Sequence, residues 1–239
     1  MKHYRFLLLD ADGTLLDFDQ DMLHAFQATF ETCFAGQRPY DPALLDTYER
    51  CNDRWWKKLE RGECEKSQLF TGRFRDFLAE TGLAGDPEEI NQVYFENLGQ
   101  GGALLPGALE LVRDLSAQYE LYIVTNGNAA TQKTRLERSG LMDYVNSYFV
   151  SEDAGAAKPD VRYFEYVFSR IPGFAKEEAL LIGDSLTSDM QGAKNAGIDS
   201  LWYFPHFLSF HSQWEEEAQA LSITYRAGSF EEMRELLLG

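Results

Sequence analysis

Tyr4-Arg5-Phe6-Leu7-Leu8-Leu9-Asp10-Ala11-Asp12-Gly13-Thr14 begins as a largely apolar run and stops abruptly at two carboxylates and a glycine. The apolar part is too short for a helix and is halted by a polar turn, so it predicts a buried strand over residues 4–9. Carboxylates at i and i+2 just past a strand, followed by a glycine that permits a sharp turn, lie where an α/β protein keeps its ligands. A turn held by Asx hydrogen bonds is the plain alternative for the last five residues taken alone. A secretion signal does not fit, because Asp10 and Asp12 cut the apolar run short and no small-residue cleavage site follows.

Outward from this strand, short apolar runs recur at residues 121–124, 148–150, 179–182 and 200–204, which makes five expected strands. Between them lie segments of helical period at residues 107–117, 129–139, 159–170 and 188–196. Strand and helix therefore alternate from residue 105 to 204. That alternation predicts a parallel five-stranded sheet flanked by helices on both faces, with a site beyond the carboxyl ends of its strands. Residues 17–98 break the pattern and predict a helical insertion. Leu44, Leu45, Tyr48, Trp55, Trp56 and Leu59 recur at three and four, and Leu69, Phe70, Phe74, Phe77 and Leu78 form a second stripe ended by Gly82. Asp86, Pro87 and Glu89 read as a capping box opening a further helix. Residues 206–213 read as irregular, and Ser229 with Glu232 as the cap of a closing helix.

Length and composition bound the function. A chain of 239 residues suits one domain with a sizeable insertion. The hydrophobic share of 44% and charged share of 26% are those of a soluble folded protein. A net charge of −17 opposes binding to polymeric nucleic acid and to anionic membrane surfaces. Small phosphorylated ligands stay open, since one metal ion and a few cations can reverse the field inside a cleft. Cys33, Cys51 and Cys64 lack any metal or disulfide spacing, which predicts a reduced, cytoplasmic protein. No stretch approaches the roughly 18 apolar residues of a membrane span.

Further polar groups follow the later strands. Thr125-Asn126-Gly127 offers a hydroxyl, an amide and a helix start to an anion, although Thr and Asn there also serve as ordinary caps. Lys158-Pro159 precedes another helix, where a solvated surface lysine is the default. Gly183-Asp184-Ser185 is followed by Asp189, which equally reads as a helix-start acid. Taken together, carboxylates converging from several strand ends repel unless a divalent ion or protons offset them, and an oxygen ligand set suits Mg2+. A carboxylate attacking a phosphate meets the same repulsion, which Mg2+ and a lysine would remove.

In order and spacing, Asp10-Ala11-Asp12-Gly13-Thr14, Thr125-Asn126-Gly127, Lys158-Pro159 and Gly183-Asp184-Ser185-x-x-Ser188-Asp189 resemble the four motifs of the haloacid dehalogenase-like (HAD) hydrolase superfamily. The resemblance implies a Rossmann-like core over residues 1–16 and 99–239 and an all-helical cap over residues 17–98 that closes over it. It implies that Asp10 is a nucleophile forming an aspartyl-phosphate and that Asp12 is the general acid and base. Mg2+ would be held by Asp10, the Asp12 backbone carbonyl and Asp184, with Asp189 holding a metal-bound water or Lys158. Thr125 and the Asn126 amide would grip the phosphoryl oxygens, and Lys158 would neutralise charge on nucleophile and phosphate.

Residues 52–56 with Gly62, Arg73-Phe74, residues 134–141 and residues 151–155 are similar to the noncanonical pyrimidine nucleotidase group, which often has a second acidic residue where this chain has Gly13. This implies a 5′-nucleotidase acting on pyrimidine nucleoside monophosphates. A phosphatase of another small metabolite, such as phosphoglycolate or a sugar phosphate, is the near alternative. Asp12, Asp184 and Asp189 argue against a metal-free 2-haloacid dehalogenase, and the fully occupied set of motifs argues against a non-catalytic binding module. Phe18, Trp55, Trp56, Arg73 and Phe74 are the expected specificity residues, with packing of the helical insertion as the competing role for its aromatic stripe. Asn128 and Lys133 lie beside the second motif, and His206 and His211 are left without a step to perform.

Overall fold

The structure is a computed structural model and describes residues 2–205 and 212–239. His206, His211 and most of the segment expected to be irregular lie outside the described residues. Two compact units divide the chain, one formed by Met1–Phe18 with Gly102–Gly239 and the other by Asp19–Gly101. In chain order the elements are β1 (Phe6–Leu9), α1 (Phe18–Phe34), α2 (Ala43–Glu60), α3 (Lys66–Thr81), α4 (Pro87–Leu98), α5 (Ala108–Ser116), β2 (Glu120–Thr125), α6 (Ala129–Ser139), β3 (Ser147–Val150), α7 (Ser151–Ala154), α8 (Val161–Phe168), β4 (Ala179–Gly183), α9 (Gln191–Ala196), β5 (Asp199–Tyr203), α10 (Ser212–Ala220), β6 (Tyr225–Ala227) and α11 (Phe230–Leu238).

In the first unit, six strands form a parallel sheet in the order β3-β2-β1-β4-β5-β6. The sheet thus has one strand more than the five expected. The extra strand β6 is three residues long and pairs only with β5, so it lacks the continuous apolar run that marks a central strand. In β1, successive side chains enter opposite layers, as the two-residue period of a strand requires. Leu7 and Leu9 join Leu111, Val112, Leu115, Leu136, Met233 and Leu237 on one face. Phe6 and Leu8 join Tyr163, Phe164, Val167, Ala193 and Ala196 on the other. Both layers are dry, and each fully buried aliphatic or aromatic side chain contributes about 1.5–3 kcal/mol. Because β1 lies between β2 and β4, its carboxyl end and theirs emerge side by side at the centre of the sheet.

The second unit consists of helices, with the rings of Phe26, Phe30, Tyr48, Phe74, Phe77 and Tyr94 buried in its interior in stacked and edge-to-face contacts. Asp86 caps α4 by accepting from the backbone N–H groups of Glu88 and Glu89. A glutamine reaching back to its cap is found instead at α3, where Gln68 Oε1 accepts from the Glu65 N–H at 2.9 Å. Among the described residues, no helix is long and apolar enough to cross a membrane.

Candidate active site

Asp10 continues the line of β1, and its N–H still donates to Ile182 of β4 at 2.8 Å. The chain then turns, with Leu15 and Leu16 both donating to the Ala11 carbonyl. Gly13 sits in this turn at φ +80°, and a Cβ there would lie 2.6 Å from Asp184 Oδ2. Glycine satisfies both the left-handed conformation and the close approach of the second acidic strand end. Thr14 Oγ1 lies 3.2 Å from Asp10 Oδ2 and 3.3 Å from Asp184 Oδ1, so the hydroxyl lies between the two carboxylates.

Lys158 is 2% exposed, contrary to the surface default for lysine. Its Nζ donates to Asp10 Oδ1 at 2.5 Å, Asp189 Oδ1 at 2.7 Å and the Val124 carbonyl at 2.9 Å. Asp189 is held further by the Ser185 N–H, which donates to its Oδ2 at 3.1 Å. The Trp202 indole donates to the Asp184 backbone carbonyl at 2.8 Å and fixes the end of β4. Carboxylate oxygens of Asp10, Asp184 and Asp189 lie within 4.8 Å of one another.

Three carboxylates facing one ammonium leave an excess of negative charge in a dry site. Burial, and then the charge of Asp189, push the Asp10 carboxyl up to about 7 against the opposing pull of Lys158. Burial first, then Asp10 and Asp189, hold Asp184 well above the ordinary carboxylate range. Burial alone would lower the Lys158 ammonium, but Asp10 and Asp189 outweigh it and the net shift is upward. A divalent cation with oxygen preference relieves this repulsion, so the donor set fits Mg2+.

Asp12 faces elsewhere. Its Oδ1 accepts from Arg135 at 2.5 Å and its Oδ2 from Gln132 Nε2 at 2.8 Å. Gln132 Nε2 also donates to Thr125 Oγ1 at 2.7 Å. Asn126 uses its side-chain amide on the backbone of Lys158, accepting from its N–H and donating to its carbonyl, both at 2.8 Å. The group Asn126 can still direct at an anion is therefore its backbone N–H.

Among the expected specificity residues, Arg73 and Phe74 are interior residues of the helical unit, at 2% and 0% exposure. Arg73 donates to Asn52 and Asn91 and is surrounded by the rings of Phe74, Tyr94 and Phe95. Trp55 is also buried, with its indole donating to Asp76 and its ring against Gly72, where a Cβ would lie 2.2 Å away. These three side chains pack within their own unit, the competing role for the aromatic stripe. Trp56 is half-buried and donates to Asn52. Phe18 lies with its ring 5.6 Å from the Arg135 guanidinium. Asn128 caps α6, accepting from Thr131, and Lys133 is a solvated residue beside Glu137.

Gln132, Arg135 and Trp202 were not among the expected site residues. For the first two a signal exists: α6 turns Thr131, Gln132, Arg135 and Ser139 inward along with Leu136, and a buried polar stripe on a sheet-facing helix marks a site rather than a core. The Trp202 indole gives no such signal, since a tryptophan in a buried strand reads as core.

A family model for haloacid dehalogenase-like hydrolases matches residues 4–197. The chain is 39% identical over 236 residues to the pyrimidine 5′-nucleotidase PynA of Streptococcus pneumoniae, covering 98% of this chain and 95% of that protein. It is 40% identical over 205 residues to the HAD-hydrolase YfnB of Bacillus subtilis, covering 86% of each. The crystal structure of YfnB bound to magnesium, described as revealing interdomain movement, aligns with a TM-score of 0.88 at 37% identity over 99% of each chain. The L-2-haloacid dehalogenase of Xanthobacter autotrophicus aligns with a TM-score of 0.73 over 99% of each chain but at 17% identity, a likeness of fold alone.

Proposed function

This chain belongs to the haloacid dehalogenase-like hydrolase family, and from that premise we propose that it is a Mg2+-dependent phosphomonoesterase that hydrolyses pyrimidine nucleoside monophosphates through an aspartyl-phosphate. The observation that carries the reading is the placement of Asp10, gripped by Lys158 beside Asp184 and Asp189 while Asp12 stands two residues further on. Mg2+ would be held by the carboxylates of Asp10 and Asp184 and the Asp12 carbonyl, with Asp189 beside them, and it supplies positive charge that lets an anionic nucleophile approach an anionic phosphate.

A carboxylate oxygen of Asp10 attacks phosphorus, the bond from phosphorus to the ester oxygen breaks, and that oxygen leaves with the proton carried by Asp12. Water then attacks the phosphorus, Asp12 takes one of its protons, and the bond to Asp10 breaks to release inorganic phosphate. Both displacements use a group already in place, and acid–base assistance of this kind is worth roughly 10²–10⁴-fold in rate. Lys158 holds Asp10 in orientation and stabilises charge on the transferring group. Thr125 and the Asn126 N–H complete the phosphoryl grip.

A pyrimidine substrate is supported by the 39% identity to PynA over nearly the whole chain. All three cysteines are free thiols, which suits a cytoplasmic enzyme. Phosphate release from pyrimidine and purine monophosphates, phosphoglycolate and sugar phosphates tests the reading. Pyrimidine monophosphates are expected to give the highest kcat/KM, and EDTA to abolish release. Preference for a sugar phosphate or phosphoglycolate would move the assignment to another small metabolite, and halide release from a 2-haloacid without metal would overturn the phosphatase reading.

A further inference from the structure

Gln132 and Arg135 stand one turn apart on α6, so their side chains emerge on the same face. Between them they hold both oxygens of Asp12, Arg135 on Oδ1 at 2.5 Å and Gln132 on Oδ2 at 2.8 Å. Arg135 also donates to Gln132 Oε1 at 2.9 Å. That bond fixes the amide, because a flipped amide would turn its carbonyl toward the Asp12 carboxylate and its NH2 toward the guanidinium. With the amide fixed, its two N–H groups go to Asp12 and to Thr125 Oγ1, the latter at 2.7 Å. Thr125 is an acceptor in that bond, so its own hydroxyl proton stays available for a phosphoryl oxygen.

The surroundings are shaped for this arrangement. Gly127 leaves room for Gln132 to fold back, since a Cβ there would lie 2.2 Å from Gln132 Cγ. The Arg135 side chain is fully buried whereas that of Asp12 is 29% exposed, so a rigid interior donor reaches out to a carboxylate at the edge of the site. The Phe18 ring flanks the guanidinium.

We propose that Gln132 and Arg135 are positioning residues of the reaction, a clamp that fixes the proton-transfer carboxyl of Asp12 at a set place relative to the phosphoryl-gripping hydroxyl of Thr125. The inference rests on the phosphomonoesterase reading above; misplacing Asp12 slows both of its proton transfers, and the one to the leaving oxygen is isolated in kcat/KM, which spans only the steps up to departure of the alcohol. An alkoxide leaving group needs that proton, whereas p-nitrophenolate departs well without it.

The test compares kcat/KM for the best alkyl phosphate of the substrate panel with kcat/KM for p-nitrophenyl phosphate, in wild type, Gln132→Leu, Arg135→Met and Arg135→Lys, at saturating Mg2+. In Gln132→Leu and Arg135→Met, kcat/KM on the alkyl phosphate falls by about 10²-fold and on the aryl phosphate by less than about fivefold. Arg135→Lys recovers part of the loss, and adding Gln132→Leu to Asp12→Asn costs nothing further on the alkyl phosphate. Equal losses of kcat/KM on both substrates, or wild-type kcat/KM on the alkyl phosphate, overturn the clamp. Should Arg135→Met fail to fold, Gln132→Leu, which fills nearly the same volume against Gly127, gives the same readout. A wild-type enzyme that releases phosphate from neither substrate overturns the phosphomonoesterase reading itself, and the clamp with it.

Discussion

Asp10 meets two opposing demands at one carboxyl group. A nucleophile works best shielded from bulk water, yet burial and the neighbouring Asp189 push its carboxyl up to about 7, and Lys158 at 2.5 Å opposes them. Asp10→Asn keeps the shape and the possibility of a hydrogen bond to Lys158 but removes the carboxylate oxygen proposed to attack phosphorus. Its kcat should fall roughly 10³-fold or more, with an unchanged circular dichroism spectrum. Substantial turnover in that variant would move the nucleophile elsewhere. Asp10, Asp12 and Asp184 were readable as site candidates because each ends or follows a strand, and a parallel sheet gathers strand ends; Lys158, in the loop between α7 and α8, was readable only in combination with them. Gln132 and Arg135 carry a weaker local signal, the polar stripe on the inward face of α6, but their grip on Asp12 depends on how that helix is rotated. Arg73 and Phe74 show the converse case: a polar–aromatic pair that suits ligand contact in sequence is enclosed by its own helices.

The element that links site to scaffold is α6. It starts directly after the Thr125-Asn126-Gly127 turn, capped by Asn128, whose Oδ1 accepts from Thr131 at 3.1 Å. Glu152 joins the cap, accepting from the Ala129 N–H at 2.6 Å and from the Asn128 amide. Asn128→Ala should cost about 1 kcal/mol of stability in denaturant unfolding. If the helix start also sets the register of Gln132 and Arg135, the same variant lowers kcat/KM on an alkyl phosphate more than on an aryl phosphate. An unchanged unfolding midpoint would show that Glu152 alone secures the helix start. The helical periodicity of residues 129–139 was plain in the sequence. The polarity of the inward face was equally visible, but amphipathic reasoning seeks apolar residues there and passes over a polar stripe.

Across the whole molecule, one charge-balance argument connects sequence to stability. The α/β unit buries Asp10 and Asp189 with Lys158 between them, and Asp184 stands within ligand distance. A cation that binds only the folded site must stabilise it: at a magnesium concentration of about 100 times Kd the gain is about 2.7 kcal/mol. Scanning calorimetry should show that rise in the transition of this unit, and Asp184→Asn should remove most of it. No shift in the wild type would exclude Mg2+ from the acidic cluster. By itself the sequence determined the parallel α/β architecture and the strand ends that carry the acidic residues, because apolar runs, their lengths and the polar residues that halt them are local facts. Only the tertiary structure decided the sixth strand, the burial of Lys158, and the grip of Gln132 and Arg135 on Asp12. Each of these depends on which faces meet across many intervening residues, and no local pattern records that.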